Sequence, residues 1–414
     1  MQLLELNDLN LTWYTQQGTR VAEPGAALVE DGAAVYGEAA LARARLAPRG
    51  FQDQHWQLLN SDSLAVNAPG VQNNADLVHQ HLQQLAGAAS GSGQAAHEII
   101  CAVPGTVSSE QLGLLLGIAS EAGITIRSFA SSAVLYCLNI SLPSDAWCID
   151  IQNRRGVLTR LARDSTTLSS ADIIDLPQLG MNGLIDGWLH QLTDQFVARS
   201  RFDPLRVAET EQQLFDQVRA WLPVGGALSA AVDHQEHQRA VDLSFEDAAN
   251  HAKQRYREVL EKLPAQATVV LTPPAGMLPG FADYLSQVGH TVINAEAGDL
   301  WANATHCAEL QNPAAVHFIT SLATSTAAVE TSESQAHATH ALSNNVAVPL
   351  AAIAQQLANL AGSNDVGYQV TAPSDGVTIN EKDSVSEQPL APGDRLTVSG
   401  KNYTCIRVEN GKTA

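Results

Sequence analysis

Residues 98–129 read EIICAVPGTVSSEQLGLLLGIASEAGITIRSF, in which two apolar runs flank a helix-forming segment. EIICAVP (98–104) is almost continuously apolar, which is typical of a buried strand in a parallel sheet. Ser108 opens the next segment as a helix-capping residue, and Gly123 ends it as a C-cap. ITIRSF (124–129) is then a second strand. Strand, helix and strand in this order predict an α/β fold.

The pattern extends upstream and downstream. AWCIDI (146–151) is a further apolar strand. Residues 1–50 hold four short apolar runs separated by turn signals, of which Asp31-Gly32 is the strongest because Gly accepts positive φ at little cost. They predict a β-meander followed by a helix. A helix is also predicted over residues 75–87 from its stripe of apolar side chains.

The region from residue 176 repeats the α/β pattern with larger helices. Amphipathic periodicity predicts three of them, over 181–200, 207–222 and 245–263. ATVVLT (267–272) is the next predicted strand, and a helix, a strand and a helical stretch follow it to about residue 310.

Composition excludes several classes of protein. The 414 residues carry 23 Lys+Arg against 43 Asp+Glu, a net charge of −20, which argues against nucleic acid or an anionic membrane as partner. With 45% apolar and 16% charged residues, the chain is not wholly disordered. The first residues show no signal-peptide pattern, and no apolar run approaches the ~20 residues of a membrane span. We therefore expect a cytoplasmic protein without a transmembrane segment.

Cysteine and histidine give no clear metal motif. The cysteines are scattered without a CxxC pair, so we expect buried thiols in a reducing compartment; they are Cys101, Cys137, Cys148, Cys307 and Cys405. DHQEHQ (233–238) could present two histidines to a divalent metal, but a solvated polar loop before the next helix is the preferred interpretation. No metal ligand is assigned.

Five segments carry a resemblance to one family. They are EPGAALVEDGAAVYGEAALARARLAPRGFQDQHWQLLN (23–60), CAVPGTVSSEQLGLLLGIASEAGI (101–124), WCIDI (147–151), LGMNGLIDGWLHQLTDQFVARSRFDP (179–204) and VVLTPPAGMLPGFADYL (269–285). In order and spacing they resemble the nucleotide-binding domain of DnaK-type heat-shock chaperones, a branch of the actin-like ATPase superfamily, over about residues 1–312.

The resemblance implies a two-lobed actin-like ATPase fold, built from RNase H-like repeats, with a cleft between the lobes. We expect lobe I over 1–150 and lobe II over 151–318. Residues 319–345, rich in Ser, Thr and Ala, are the predicted linker. A helix and a small all-β tail domain are expected over 346–414.

The end of the tail, SDGVTINEKDSVSEQPLAPGDRLTVSGKNYTCIRVENG (374–411), resembles the last strands of a forkhead-associated domain. A generic β-hairpin module with Gly-Asp turns explains it equally well. No phosphopeptide site is assigned, because the family's phosphothreonine-reading residues have no match.

The family's nucleotide motifs are degenerate in this chain. Its first phosphate loop, Asp-Leu-Gly-Thr-Thr, is here Glu5-Leu6-Asn7-Asp8-Leu9, and its second, Asp-Leu-Gly-Gly-Gly-Thr, is DIQNRRG (150–156). Glycines there let backbone N–H groups approach phosphates, which side chains would block.

Other family positions have changed too. Ser131-Ser132 replaces the Glu-Pro that orients the attacking water, Pro273-Pro274 replaces the paired glycines of the adenosine side, and Met277 replaces the stacking arginine. Arg154 and Arg155 could hold phosphates by charge, but we expect solvated turn residues. The remaining nucleotide-binding candidates are Glu5, Asp150, Asp216 and Arg219; no catalytic residue is assigned.

Three hypotheses follow. The first is a catalytically degenerate, chaperone-like scaffold that binds other proteins and does not hydrolyse ATP efficiently, because phosphoryl transfer depends on positioning and charge neutralisation. The second is a divergent chaperone ATPase that still binds ATP or ADP with magnesium and handles protein clients. The third, with the least support, is a structural protein of an envelope or filament assembly.

Overall fold

In the computed structural model the chain consists of two units, residues 1–329 and residues 330–414. The described residues are 2–15, 20–30, 32–90, 97–311, 315–324, 340–343, 346–350, 360–363, 367–370, 377–379, 382–383, 388–390, 394–398 and 401–406.

The strands of the first unit are short, and most are buried. They are β1 Gln2–Glu5, β2 Leu11–Tyr14, β3 Arg20–Glu23, β4 Ala27–Glu30, β5 Ala33–Tyr36, β6 Phe51–Gln52, β7 Ser63–Ala68, β8 Val71–Asn73, β9 His97–Val103, β10 Ile124–Ser131, β11 Asp145–Ile151, β12 Gly156–Arg163, β13 Thr167–Leu176, β14 Leu228–His234, β15 His237–Leu243, β16 Thr268–Leu271, β17 Thr291–Asn294, β18 Phe318–Ile319 and β19 Ser321–Ala323.

The helices of this unit lie mostly between strands. They are α1 Glu38–Leu41, α2 His55–Leu58, α3 Asn74–Ser90, α4 Ser109–Glu121, α5 Ser132–Cys137, α6 Met181–Ser200, α7 Ala208–Trp221, α8 Phe245–Leu260, α9 Pro273–Gly276, α10 Phe281–Gln287, α11 Asp299–His306 and α12 Ala308–Gln311. Of the helices in the described part of the chain, none is long and apolar enough to cross a membrane.

Two six-stranded sheets share the topology of five strands, and the sixth strand is added at opposite ends: β18 beside β10 in the first sheet and β19 beside β13 in the second. The first has the order β18-β10-β9-β1-β2-β3, and the second has the order β17-β16-β11-β12-β13-β19. In each, three strands form an antiparallel meander, and two later strands run parallel to the first strand on its other side. This arrangement confirms the predicted α/β class.

Local sequence explains the first parallel unit. In β9, the residues from Ile99 to Val103 are at most 1% exposed, as its apolar sequence predicts. Ser108 forms a capping box with Gln111, since each side chain bonds the other residue's backbone N–H. The chain then returns as β10, parallel to β9.

The predicted meander of residues 1–50 divides between two sheets. β1 and β2 belong to the first large sheet, whereas β4 and β5 pair with each other and with β6 in a separate three-stranded sheet. β3, which the apolar pattern did not predict, extends the large sheet beyond β2.

The predicted domain boundaries need correction at two places. β11 begins at Asp145, so the boundary at residue 150 falls inside a strand of the second sheet. The predicted linker starts too early: Ser321–Ala323 forms β19, which pairs with β13, and Leu322 is 1% exposed.

The five cysteines are free and buried, which confirms the expectation of buried thiols. They are spread over both units and cannot define a disulfide framework.

In the second unit, β20 His340–Ser343 and β21 Val346–Pro349 form a six-stranded sheet with β24 Val377–Ile379, β25 Lys382–Asp383, β27 Arg395–Val398 and β28 Lys401–Ile406. A three-stranded sheet contains β22 Leu360–Ser363, β23 Gly367–Val370 and β26 Gln388–Pro389. The helix predicted from residue 346 is therefore wrong at both ends, where β21 and β22 lie; residues 351–359 are outside the described residues.

Candidate functional site

Two turns meet at corresponding places in the two large sheets. The first joins β1 to β2 and contains Asn7 and Asp8, and the second joins β11 to β12 and contains Gln152 and Asn153. Each is the turn between the first two strands of its meander. In the family that the sequence resembles, these turns are the phosphate loops.

Asn7 bonds the second sheet directly. Its side-chain Nδ2 donates to Asp150 Oδ1 at 3.1 Å, to Asp150 Oδ2 at 3.0 Å and to the Ile151 carbonyl at 2.9 Å. Asn7 is 3% exposed, so these bonds are shielded from water. The side chain that replaces a family glycine thus occupies the space between the two turns.

A second pair of residues repeats this connection. The backbone N–H of Asn153 donates to Asp8 Oδ1, and its side-chain Nδ2 donates to the Asp8 carbonyl, both at 2.8 Å. The pKa of Asp8 is raised to about 7, mainly by burial and with a contribution from Asp53, while the Asn153 hydrogen bond acts in the opposite direction.

Asp150 receives a further donor from Thr272, the N-cap residue of α9. The Thr272 hydroxyl donates to Asp150 Oδ1 at 2.6 Å. Burial raises the pKa of Asp150 to about 6, although the bonds from Thr272 and Asn7 favour its ionised form. The Asp150 carboxylate therefore already accepts hydrogen bonds from two side chains of the protein, Asn7 and Thr272.

Glu5 is likewise engaged by a protein donor. The Tyr136 hydroxyl, carried by α5, donates to Glu5 Oε1 at 2.6 Å, and Glu5 is 7% exposed. Burial raises the pKa of Glu5 to about 7, and Asp150 adds to the increase. At the start of the same helix Ser131 acts as the N-cap, since its hydroxyl accepts from the Val134 N–H.

The N-terminus of α6 is also occupied. The N–H groups of Met181 and Asn182 donate to the carbonyls of Gln152 and Asn153, at 3.0 and 2.9 Å. An unoccupied helix N-terminus is a ready anion site, but here the second turn itself takes these donors. Gly180 permits this approach, because a Cβ there would lie 2.3 Å from a backbone carbon of the turn.

The prediction that Arg154 and Arg155 are solvated turn residues holds in part for Arg154, whose side chain is 49% exposed, and is wrong for Arg155. Arg154 forms a two-pronged ion pair with Asp53, with both N···O distances at 3.0 Å. Arg155 is 14% exposed and donates to Thr106, Gln152 and Asp175. Their charges are neutralised by the protein.

On the outer side of the cleft, charged side chains join the segment 38–45 to α6 and α7. Arg219 pairs with Glu38 at 3.0 Å. Arg45 pairs with Asp186 at 2.6 Å and with Glu211 at 3.3 Å. These contacts, called the outer bridge below, involve residues that line the same cavity as Asn7 and Asn153.

Gln212 adds neutral bonds to the same bridge. Its Nε2 donates to the Leu41 carbonyl at 2.9 Å and to Asp216 Oδ1 at 2.9 Å, and its Oε1 accepts from the Arg45 N–H at 2.7 Å. Burial raises the pKa of Asp216.

The four predicted site residues therefore fall into two groups. Glu5 and Asp150 lie together at the base of the cleft, close enough that the charge of Asp150 raises the pKa of Glu5. Asp216 and Arg219 both lie on α7, at the outer bridge, where each is bonded to another side chain of the protein.

A cavity of about 740 Å³ remains between the base and the bridge. It falls within the range of small-molecule sites. Polar groups line it at the base, among them Glu5, Asn7 and Asn153, and apolar side chains line much of the rest, including Pro273, Pro274 and Met277.

The residues present do not fit a magnesium nucleotide. The Asn7 amide fills the phosphate cradle, the Asp150 oxygens already accept three donors, and Pro273 and Pro274 lack the N–H groups that the family's glycines offer. Arg219 is held by Glu38. In the described part of the chain, no group of three or more His, Cys, Asp or Glu could hold a metal ion.

No family model matches the chain, and no curated protein matches it.

Sequence reasoning noticed the substitutions at the phosphate loops but missed the partners. Thr272, Tyr136, Asp53 and Asn182 were not singled out, although each bonds a side chain of the two turns or of the acids beside them. A polar residue in an otherwise apolar helix, such as Tyr136 in SAVLYCL, was the only local signal.

Proposed function

We propose that residues 1–329 form a catalytically degenerate relative of the DnaK-type nucleotide-binding domain, which acts as a protein-interaction scaffold without efficient ATP hydrolysis. The observation that carries the proposal is the direct bonding of the two turns, Asn7 to Asp150 and Asn153 to Asp8, across 3.1 Å or less. Protein side chains stand where the family has a nucleotide.

The sheet topology supports the actin-like part of the proposal. Two sheets that share the same order in five of their six strands, each with a three-stranded meander, are what a duplicated RNase H-like repeat would give. In a two-lobed arrangement each repeat would supply one turn to the cleft, and Asn7 and Asn153 come from equivalent turns of the two sheets.

The chemistry of the site supports the loss of catalysis. Phosphoryl transfer requires donors aimed at the phosphates and a positioned water. Here Asp150 is bonded by Thr272 and Asn7, and Ser131 caps a helix, so neither is poised to hold a metal-bound water or orient an attacking one.

The bridges of the cleft support a scaffold role. In a nucleotide-driven chaperone the cleft must change between states, whereas here the Arg45 and Arg219 ion pairs connect segment 38–45 to α6 and α7. Such a unit presents one constant surface to protein partners, and we expect partner binding that nucleotide does not change.

The alternative, a divergent ATPase, is favoured by one observation: the cavity of about 740 Å³ has the volume to hold a nucleotide. Phosphate release from ATP separates the two. The scaffold proposal predicts that the wild-type chain releases no more phosphate than Asp150→Asn, a variant of the same size. Release that depends on magnesium and is lost in Asp150→Asn would favour the ATPase.

A binding test addresses the scaffold itself. A partner isolated with the full chain should bind with the same dissociation constant with and without magnesium ATP. A change of about tenfold or more would show nucleotide control and would contradict the proposal.

A further inference from the structure

The outer part of the cleft has an apolar wall that the nucleotide motifs do not explain. Four partly buried side chains pack against the main hydrophobic core and also line the cavity; they are Leu9, Leu41, Phe51 and Met277. The buried residues Ile185 and Phe215 line the same cavity. Apolar walls with a few polar groups are typical of small-molecule sites.

Three of the four arginines that line this cavity are already in ion pairs. Arg45 is bonded to Asp186 and Glu211, Arg219 to Glu38, and Arg154 to Asp53. The guanidinium groups of Arg45 and Arg219 also lie over the Phe215 ring, at 4.7 and 5.7 Å from its centre.

An anionic ligand would therefore have to break one of these ion pairs to obtain Arg45, Arg154 or Arg219 as a counter-ion. A cationic ligand would meet Glu5, which is 7% exposed and already accepts from the Tyr136 hydroxyl. The fourth lining arginine, Arg20, is solvent-exposed, so it offers only a screened charge. An uncharged ligand needs no counter-ion and leaves these ion pairs intact. Its binding is favoured by the burial of apolar surface.

We infer that this cavity binds an uncharged, largely apolar small molecule of two or three rings, seated against Leu41, Phe51 and Met277. This inference rests on the proposed function in one respect, namely that a nucleotide does not occupy the same cavity. Ligand binding would add to the bridge between segment 38–45 and α7, since the ligand would contact both sides of it.

A matched pair of fluorescent probes tests the class of ligand. N-phenylnaphthylamine is uncharged, and anilinonaphthalene sulfonate has the same ring skeleton with one negative charge. Titrated into the full chain, the uncharged probe should show saturable fluorescence with one site per chain. Its dissociation constant should be at least about tenfold lower than that of the sulfonate.

Two variants locate the site. Leu41→Trp fills the cavity and should weaken the uncharged probe at least about tenfold. Leu46→Trp is the control, because Leu46 lies on the same segment, is 42% exposed and does not line the cavity; it should bind as the wild type does. Met277→Trp serves as a second cavity variant from the opposite chain segment, in case Leu41→Trp does not fold.

The outcomes are distinct. The inference is overturned if the uncharged probe shows no saturable binding, if the sulfonate binds as tightly, or if the folded cavity variants bind like Leu46→Trp. A separate titration with magnesium ATP shows which account fails: ATP that binds and displaces the probe would refute the proposed function together with this inference, ATP that binds without displacing the probe would refute the proposed function alone, and absence of both probe and ATP binding would refute this inference alone.

Discussion

The side-chain amide of Asn7 lies between both carboxylate oxygens of Asp150, at 3.1 and 3.0 Å, although 143 residues separate the two in the chain. This contact joins the β1–β2 turn of one large sheet to the β11–β12 turn of the other. The two sheets have no strand in common. It is the relationship on which the account of the site depends.

Removal of the Asn7 amide should destabilise the protein. In Asn7→Ala the buried Asp150 carboxylate loses two bonds, and the Ile151 carbonyl loses one, so we expect the free energy of unfolding to fall by about 2–3 kcal/mol. Urea denaturation measures it. Asn10→Ala, in the same turn, is the control and should cost less than about 0.5 kcal/mol. Equal decreases in the free energy of unfolding in Asn7→Ala and Asn10→Ala would show that the hydrogen bonds of the Asn7 amide do not stabilise the protein.

The buried acids of the cleft should make stability depend on pH. The pKa of Glu5 is raised from 4.5 to about 7, so the folded state holds a proton that the unfolded state releases. Its contribution is complete below pH 4.5 and is lost as the pH rises to about 7. The amide in Glu5→Gln keeps an oxygen that accepts from Tyr136 but does not titrate. This variant should therefore not lose stability from position 5 as the pH rises.

The stability of Glu5→Gln relative to wild type should therefore increase between pH 4.5 and pH 7.5, by up to about 3 kcal/mol. Urea denaturation at several pH values measures the difference. Glu261→Gln, at the exposed end of α8, is the control and should run parallel to wild type. A Glu5→Gln curve that is also parallel would mean that Glu5 is ionised in the folded state throughout.

The two arginines of the outer bridge should differ in their contribution. Arg45→Ala removes two ion pairs and a ring contact with Phe215, and should cost about 2 kcal/mol. Arg219→Ala removes a pair with Glu38, whose side chain is 69% exposed, and should cost less than about 1 kcal/mol. Urea denaturation ranks them. A larger loss of stability in Arg219→Ala than in Arg45→Ala would show that Arg219 contributes more than Arg45 to the outer bridge.

The limit of the first unit is testable by truncation. Deletion of residues 330–414 should leave a cooperative unfolding transition, because the division of the chain lies at 329/330. Deletion of residues 315–414 also removes β18 and β19, with the buried Ile319 and Leu322, and should lower the thermal midpoint by several degrees. Equal midpoints would place both edge strands outside the cooperative unit.

The sequence predicted the elements whose signals are local. The apolar run before Val103 and the Ser108 cap identify a strand and a helix without reference to the rest of the chain. The order of such elements was enough to predict the α/β class. Local patterns also marked the altered phosphate loops around Asn7 and Asp150.

Local patterns failed where distant pairing decides. Ser321–Ala323 has the composition of a linker, and only its pairing with β13 makes it a strand. The hairpin of β14 and β15 was missed because its turn uses Gln235 and Glu236 at positive φ, with no glycine to mark it. The partner of Arg154 is Asp53, about a hundred positions away, and no sequence period connects them.

The most direct measurement of the central claim is the thermal midpoint of the full chain with and without millimolar magnesium ATP or ADP. A nucleotide present at a hundred times its dissociation constant would add about 2.7 kcal/mol and raise the midpoint by about 2 °C or more. Because Asn7 and Thr272 already bond Asp150, we predict no shift beyond the error of replicate scans. A saturable upward shift that Asp150→Ala abolishes would contradict the account.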